Sequence, residues 1–277
     1  MPPAGGERIQ FVARPIVTLT TDFGTSDYYV GAMKGVILEI CPEAEVLDLC
    51  HGVLAYDILD AAFTLAQSCP YFPRHTIHVA VVDPGVGSER RPIIVSGDKH
   101  FFVAPDNGLL SFIYPQQEKL SVYHITSEHY FHQPVSNTFH ARDVFASAAG
   151  WLAKGVELRQ FGDLIEDYVK LSVPKAQALN EKSWKGIVLK VDRFGNVITN
   201  IAAADCPALF VQPTPPFKVT AGGKEITQLV KSYSAGAKNE LFALLGSSGY
   251  LEIATNRGGA AQLLGLNRGA EVTLQLA

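Results

Sequence analysis

The chain has 277 residues, 47% of them hydrophobic and 18% charged, with a formal net charge of −4. That length accommodates one large domain or two smaller ones, each with a real core. The acidic balance excludes a basic nucleic-acid footprint, and the short charge runs exclude a polybasic membrane patch. Four cysteines, Cys41, Cys50, Cys69 and Cys206, form no CxxC pair, so zinc-knuckle and redox motifs are not supported. Cys41, Cys50 and Cys69 lie among apolar neighbours and read as reduced core thiols. Residues 1–13 lack the apolar centre of a signal peptide, and no apolar run reaches membrane-spanning length. The expectation is a cytoplasmic protein with no nucleic-acid or membrane partner.

Residues 1–13 are rich in Pro and Gly and are expected to fray. Ile16–Leu19 is β-branched and apolar and reads as the first strand, ending in Thr20, Thr21 and Asp22. A helical pattern runs from Asp27 to Ile40, with Val30, Met33, Ile37 and Ile40 in register, and Pro42 ends it. Val46–Leu49 reads as a strand. Tyr56–Ala66 reads as a helix with Asp57 placed to cap it. The apolar run that ends at Val82 is a buried strand, bounded by Pro84 and Gly85. Ile93–Val95 and Phe101–Val103 form an expected hairpin around Gly97-Asp98. Leu109–Tyr114 is an expected short helix, Val122–Ile125 a strand, and Arg142–Ala153 a helix whose Ala146, Ala148 and Ala149 permit close packing. This alternation predicts an α/β domain over 13–172, three-layered (αβα) with a mainly parallel sheet.

The text changes after that. Residues 173–183 are polar and lack periodicity, as a linker would. From 184 to 277 short strands dominate: Ile187–Val191, Val197–Ile201, Phe217–Val219, Leu241–Leu244, Tyr250–Ile253 and Val272–Leu276. Only residues 257–264 hint at a helix. The prediction is a smaller, antiparallel, β-barrel-like C-terminal domain.

The chemistry concentrates in a few stretches. In HVAVVDPGVGSERR (His78–Arg91) an acid, Asp83, ends a buried strand and a two-glycine loop leads to Arg90 and Arg91. Open α/β sheets place ligands at such strand ends; an ordinary turn with a solvated Arg pair is the plain alternative. Asp22 also ends a strand, and its two acceptor oxygens suit a ribose diol as well as they suit a turn or helix cap. His140 lies in TFHARD just before a helix. There the helix start and Arg142 disfavour its charged form. Near Asp83 and Arg90 it would help polarise a water; alone it would be a capping or packing histidine. In DRFGNVITN, Phe194 offers a stacking face and Asn196 an amide, though a hairpin turn explains both. GSSGYLEIATNRG offers the hydroxyls of Ser247 and Ser248. The DFG letters at Asp22–Gly24 lack the other kinase segments, and no HExxH, GxSxG, P-loop or GxGxxG occurs.

Taken together, TLTTDFGTSDYYVGAMKG, VVDPGVGSERR, APDNGLL, TFHARDVFA, DRFGNVITNI and GSSGYLEIATNRG resemble the S-adenosyl-L-methionine hydroxide adenosyltransferases, relatives of the bacterial fluorinase and chlorinase. The resemblance implies hydrolysis of S-adenosyl-L-methionine to adenosine and L-methionine, with no metal and no cofactor. It implies a homotrimer with active sites at subunit interfaces. It assigns Asp83, Arg90 and His140 to catalysis and Asp22 to the ribose hydroxyls. Asp27 falls near the methionine end, Phe194 and Asn196 on the adenine side with Asp192 before them, and Ser247 and Ser248 at the methionine part. Halogenating relatives carry a tyrosine at the position of Asp83 and a tyrosine or similar residue at that of His140; the fluorinase has a halide-binding serine where Ala141 stands and an extra loop after the Asp83 segment that is absent here. Tyr56 stands where relatives place a tryptophan against the substrate. These departures favour water over halide. A halide-dependent adenosyltransferase, or a non-catalytic adenosine or S-adenosyl-L-methionine binder, are the alternatives.

Overall fold

The first strand, β1 (Ile16–Thr21), turns Val17 and Leu19 to one face and Thr18 and Thr20 to the other, and all four are fully buried. A strand buried on both faces needs a layer on each side. The structure, a computed structural model, describes residues 14–277. The fraying expected of residues 1–13 lies outside the described residues.

Two compact units divide between Ser172 and Val173. In the N-terminal unit β1 is followed by α1 (Tyr29–Ile40), β2 (Glu45–Cys50), α2 (Ile58–Ser68), β3 (Ile77–Val81), β4 (Pro92–Ser96), β5 (Phe101–Pro105), β6 (Ser121–His124), α3 (Ser147–Ala153), α4 (Leu158–Phe161) and β7 (Leu164–Ile165). The sheet order is β2-β1-β3-β5-β4-β6-β7. Its first four strands are parallel, whereas β4 and β7 run against their neighbours. The step from β1 to β2 goes one way along the sheet and the step from β2 to β3 goes the other. Right-handed crossovers therefore put α1 and α2 on opposite faces. On the α1 face Met33 and Ile37 pack with Ala148, Ala149 and Leu152 of α3. The small residues bring the helices close: a β-carbon on Gly150 would sit 3.1 Å from that of Ile40. Burying one side chain such as Ile37 contributes roughly 1.5–3 kcal/mol.

Local expectations gave way at several points. Leu109–Tyr114 is a series of turns followed by a 3-10 turn at Tyr114–Gln116. Pro115 lacks an N–H and disfavours helical geometry at Tyr114, so a helix cannot propagate there. The helix expected from Arg142 opens as a π-helical turn, Ala141–Ala146. Asp57 caps α2 by accepting from the Asp60 N–H at 3.0 Å, but the helix starts at Ile58 and leaves Tyr56 outside it. All four cysteines are free, and Cys50 is only partly buried rather than in the core.

The C-terminal unit contains β8 (Gln177–Asn180), β9 (Ser183–Val191), β10 (Val197–Ala202), β11 (Phe217–Ala221), β12 (Lys224–Ile226), β13 (Leu241–Leu245), β14 (Tyr250–Thr255), α5 (Ala260–Leu264) and β15 (Glu271–Leu276). Its sheet runs β12-β11-β15-β9-β10-β14-β13, all antiparallel. The chain after β12 bonds alongside β13, Val230 N–H to Ala243 O at 2.9 Å, so the two ends of the sheet meet and the barrel nearly closes. Part of the segment read as a linker is ordered: β8 pairs with β9.

The α2 face holds an unusual polar group in its core. His78 and His100 are buried with ring centroids 4.9 Å apart, and Thr18 Oγ1 bonds His78 Nδ1 at 2.7 Å. Burial pushes the His78 pKa down to about 3, helped by His100, and pushes His100 down to about 4. Both folded values lie below the ordinary 6.5, so between these limits the unfolded chain binds more protons. The contribution to stability is complete above 6.5 and is lost as pH falls towards 4 and 3. Acid unfolding followed by circular dichroism should therefore shift to lower pH in His78→Gln; an unchanged midpoint would remove this pair as the acid-labile element.

Candidate active site

Asp22 follows β1 and Asp83 lies just beyond β3. These strands are parallel neighbours with Thr21 opposite Val81, so both acids emerge from the same edge of the sheet. The helices leaving β1 and β2 diverge to opposite faces, which opens a crevice at the strand carboxyl ends. A cavity of about 330 Å³ lies there, and Asp22, Phe23, Tyr29, Tyr56, Asp83, Phe139 and His140 are among its lining residues. Such a volume is at the small end of the ligand-pocket range.

Arg90 joins Asp83 to His140. Its Nε donates to Asp83 Oδ2 at 2.8 Å and Oδ1 at 3.1 Å, and its Nη2 donates to Oδ2 at 2.5 Å. The same Nη2 lies 2.8 Å from His140 Nδ1. A guanidinium only donates, so Nδ1 accepts and the neutral ring carries its proton on Nε2. The His140 pKa is lowered, first by burial and then by the Arg90 charge, with Asp83 and Asp143 opposing. Arg142, the cation expected to act on His140, instead pairs with Asp143 at 2.6 Å and lies over the Phe139 ring. The Arg90 guanidinium rests 5.2 Å from the centroid of Phe145, a fully buried residue of the π-helical turn. That turn thus supplies both the seat for Arg90 and the start of the helix behind His140.

The loop from Asp83 to Arg91 is fastened at both ends. Asn107 Nδ2 donates to Val82 O at 2.9 Å. Arg91 bonds Asp106 Oδ2 at 2.7 and 3.0 Å and Asp167 at 2.8 and 2.9 Å. Of the two adjacent arginines, Arg90 faces the acid of the cavity and Arg91 anchors the loop. Gly87 has φ +79°, and a β-carbon there would fall 2.4 Å from Asn137 O. Only glycine lets the loop pass that close to the segment leading to His140.

Tyr56 has φ +64°, rare for an aromatic residue, and 76% of its surface is exposed. Its N–H donates to Asp22 Oδ2 at 2.8 Å. Asp22 Oδ1 has no partner among the described residues. Asp27 is exposed on the same loop and does not line the cavity. Phe23, Tyr29, Thr138 and Phe139 line it without having been singled out from sequence. The signal available was their adjacency to Asp22 and His140.

In the C-terminal unit Asp192 organises the β9–β10 turn. Its Oδ1 accepts from the N–H groups of Phe194 and Asn196 at 2.9 Å, and its Oδ2 from Asn196 Nδ2 at 2.9 Å. Asn196 is buried and one amide hydrogen is spent on the turn, while Phe194 is 78% exposed. Gly195, at φ +81°, brings this turn against Gly259, where a β-carbon would lie 2.7 Å from the Gly259 Cα. Ser247 and Ser248 sit in the β13–β14 turn. The register of β14, with Ile253 opposite Val197 and Tyr250 opposite Ala202, puts that turn at the other end of β14 from Asn196. Among the described residues no group of three or more His, Cys, Asp or Glu is arranged to hold a metal ion. No described helix is long and apolar enough to cross a membrane.

The comparisons agree across both units. The family models for the SAM hydroxide adenosyltransferase N-terminal and C-terminal domains match residues 17–162 and 186–273. A protein named (R)-S-adenosyl-L-methionine hydrolase from Methanocaldococcus jannaschii is 35% identical, covering 91% of this chain and 92% of that one. Its namesake from Thermus thermophilus is also 35% identical, covering 94% and 99%. A fluorinase from Nocardia brasiliensis is 26% identical, covering 95% and 97%. The crystal structure of an uncharacterized conserved protein from Thermotoga maritima matches with a TM-score of 0.87 at 35% identity, over 94% of this chain and 99% of that one. The chain belongs to the SAM hydroxide adenosyltransferase family.

Proposed function

We propose that this protein hydrolyses S-adenosyl-L-methionine to adenosine and L-methionine, with Asp83, Arg90 and His140 holding the attacking water. The observation that carries this reading is the continuous Asp83–Arg90–His140 network at the wall of the cavity. The water oxygen bonds to the 5′ carbon, the carbon–sulfur bond breaks, and methionine departs as a neutral thioether with the electron pair. The leaving group needs no acid; the nucleophile is the difficulty. Water has a pKa of about 15.7, so forming free hydroxide at pH 7 would cost about 12 kcal/mol. Removing the proton while the carbon–oxygen bond forms avoids that full cost.

The tautomer of His140 supports a division of labour. Its Nδ1 is occupied by Arg90, so its Nε2–H is available to donate to the water oxygen. Asp83 Oδ1 receives only the longer of the Arg90 bonds, 3.1 Å, and keeps acceptor capacity for the proton. Arg90 supplies positive charge where negative charge develops. Asp22 accepts the ribose hydroxyls through its available oxygen, with Tyr56 alongside and Asp27 towards the methionine end. In the C-terminal unit Phe194 and Asn196, steadied by Asp192, meet adenine, and Ser247 and Ser248 meet the methionine part. The same reading includes a homotrimer with active sites at subunit interfaces, a cytoplasmic location and no metal or cofactor. The fluorinase relatives make halide the competing nucleophile; Asp83 and His140 favour water.

Five outcomes are expected. Asp83→Ala, Arg90→Ala and His140→Ala each lower kcat about 100-fold or more while binding of S-adenosyl-L-methionine changes little; normal turnover in all three would refute the network. Gly87→Ala, which forces the loop against Asn137, lowers kcat in the folded protein about tenfold by moving Arg90 relative to His140. Turnover in oxygen-18 water places the label in the adenosine 5′-hydroxyl, as read by mass spectrometry, and EDTA leaves the rate unchanged. Added chloride or fluoride yields no 5′-halo-adenosine; its accumulation would transfer the protein to the halogenating branch.

A further inference from the structure

We infer that His51 is a positioning residue, which holds the turn bearing Asp22 and so sets the grip on the ribose diol. The inference rests on the reading of Asp22 as the ribose acid. His51 is buried and does not line the cavity, yet it fastens the Asp22 turn twice. Its Nδ1 lies 2.8 Å from Thr21 Oγ1, and that hydroxyl oxygen in turn accepts from the Phe23 N–H at 3.2 Å. Its backbone O accepts from the Gly24 N–H at 2.9 Å. Five residues on, Tyr56 N–H reaches Asp22 itself. The β1–α1 and β2–α2 loops are thus joined around one acid.

The far side of the ring is anchored as well. His51 Nε2 lies 2.9 Å from Asp48 Oδ1, and Asp48 Oδ2 accepts from Lys34 Nζ of α1 at 2.7 Å. A carboxylate only accepts, so Nε2 carries the proton and, in the neutral ring, Nδ1 accepts the Thr21 hydroxyl. Donation runs one way from Phe23 through Thr21 and His51 to Asp48, and Lys34 donates to the same carboxylate from α1. Thr21 is fully buried, so loss of the ring nitrogen leaves its hydroxyl no water to turn to. An outer group of this kind acts by orienting the residue that touches the ligand.

The test compares adenosine with 2′,3′-dideoxyadenosine, which lacks the diol. Affinities are measured by calorimetry on the full chain, with kcat and KM for S-adenosyl-L-methionine alongside. The unaltered protein prefers adenosine, and Asp22→Ala abolishes that preference. Should Asp22→Ala keep it, the reading of Asp22 fails and this inference falls with it. His51→Gln and Thr21→Val are expected to lower the preference and raise KM about tenfold, with kcat within about threefold, and Thr21→Ser is expected to restore both. Dideoxyadenosine affinity stays unchanged, which a general loss of fold would not give. Asp48→Ala moves the preference the same way; its side chain is half exposed, so folding is not at issue. A preference lost in Asp22→Ala but retained in Asp48→Ala and in whichever of His51→Gln and Thr21→Val folds would overturn the role of His51.

Discussion

The N-terminal site depends on one guanidinium. Asp83 and Arg90 have only 6% and 10% of their side-chain surfaces exposed. Removing either charge from water is expensive, and the pair is tolerable only because each partner offsets the other at short range. Arg90 also seats on Phe145 and engages His140 Nδ1, so a single side chain fixes the acid, the imidazole tautomer and the path of the loop between them. Buried polar networks of this kind are rigid when every member is satisfied.

The rest of the N-terminal unit serves that placement. A 2-1-3 strand order brings the ends of β1 and β3 side by side, so acids 61 positions apart in the chain share one crevice. Arg91 and Asn107 clamp the intervening loop, and Gly87 lets it run against Asn137. Local rules are broken in the same neighbourhood. Tyr56 holds a left-handed backbone and the helix after His140 opens with a π-helical turn. Such departures concentrate where position matters more than local preference.

The C-terminal unit follows a different logic. Its core comes from alternating strand residues, and its candidate residues sit in turns at either end of β14. Asp192 shows how a turn is built from its own sequence: an acid at its start binds two N–H groups within four residues. The sequence offers the Asn196 amide either to a ligand or to a hairpin turn, and its engagement with Asp192 is invisible in one dimension because hairpin signals do not state which side chain closes the turn.

Much of the fold was legible because burial imposes periodicity. Ile16–Leu19 and the run ending at Val82 were readable as buried strands, and Asp57 as a cap, because each rests on chemistry within a few residues. Short elements were not: β7, β8 and β12 have two to four residues, too few to carry a pattern. The sequence by itself determined which side chains were present at strand ends and turns, and therefore that an acid, a guanidinium and an imidazole were available. Only the tertiary structure decided that Arg90 faces Asp83 while its neighbour Arg91 faces Asp106, that His140 accepts at Nδ1, and that Thr21 and His51 share a bond. Those choices belong to strand order and loop path, because a hydrogen bond is fixed by distances of a few ångströms between groups that the chain alone leaves far apart.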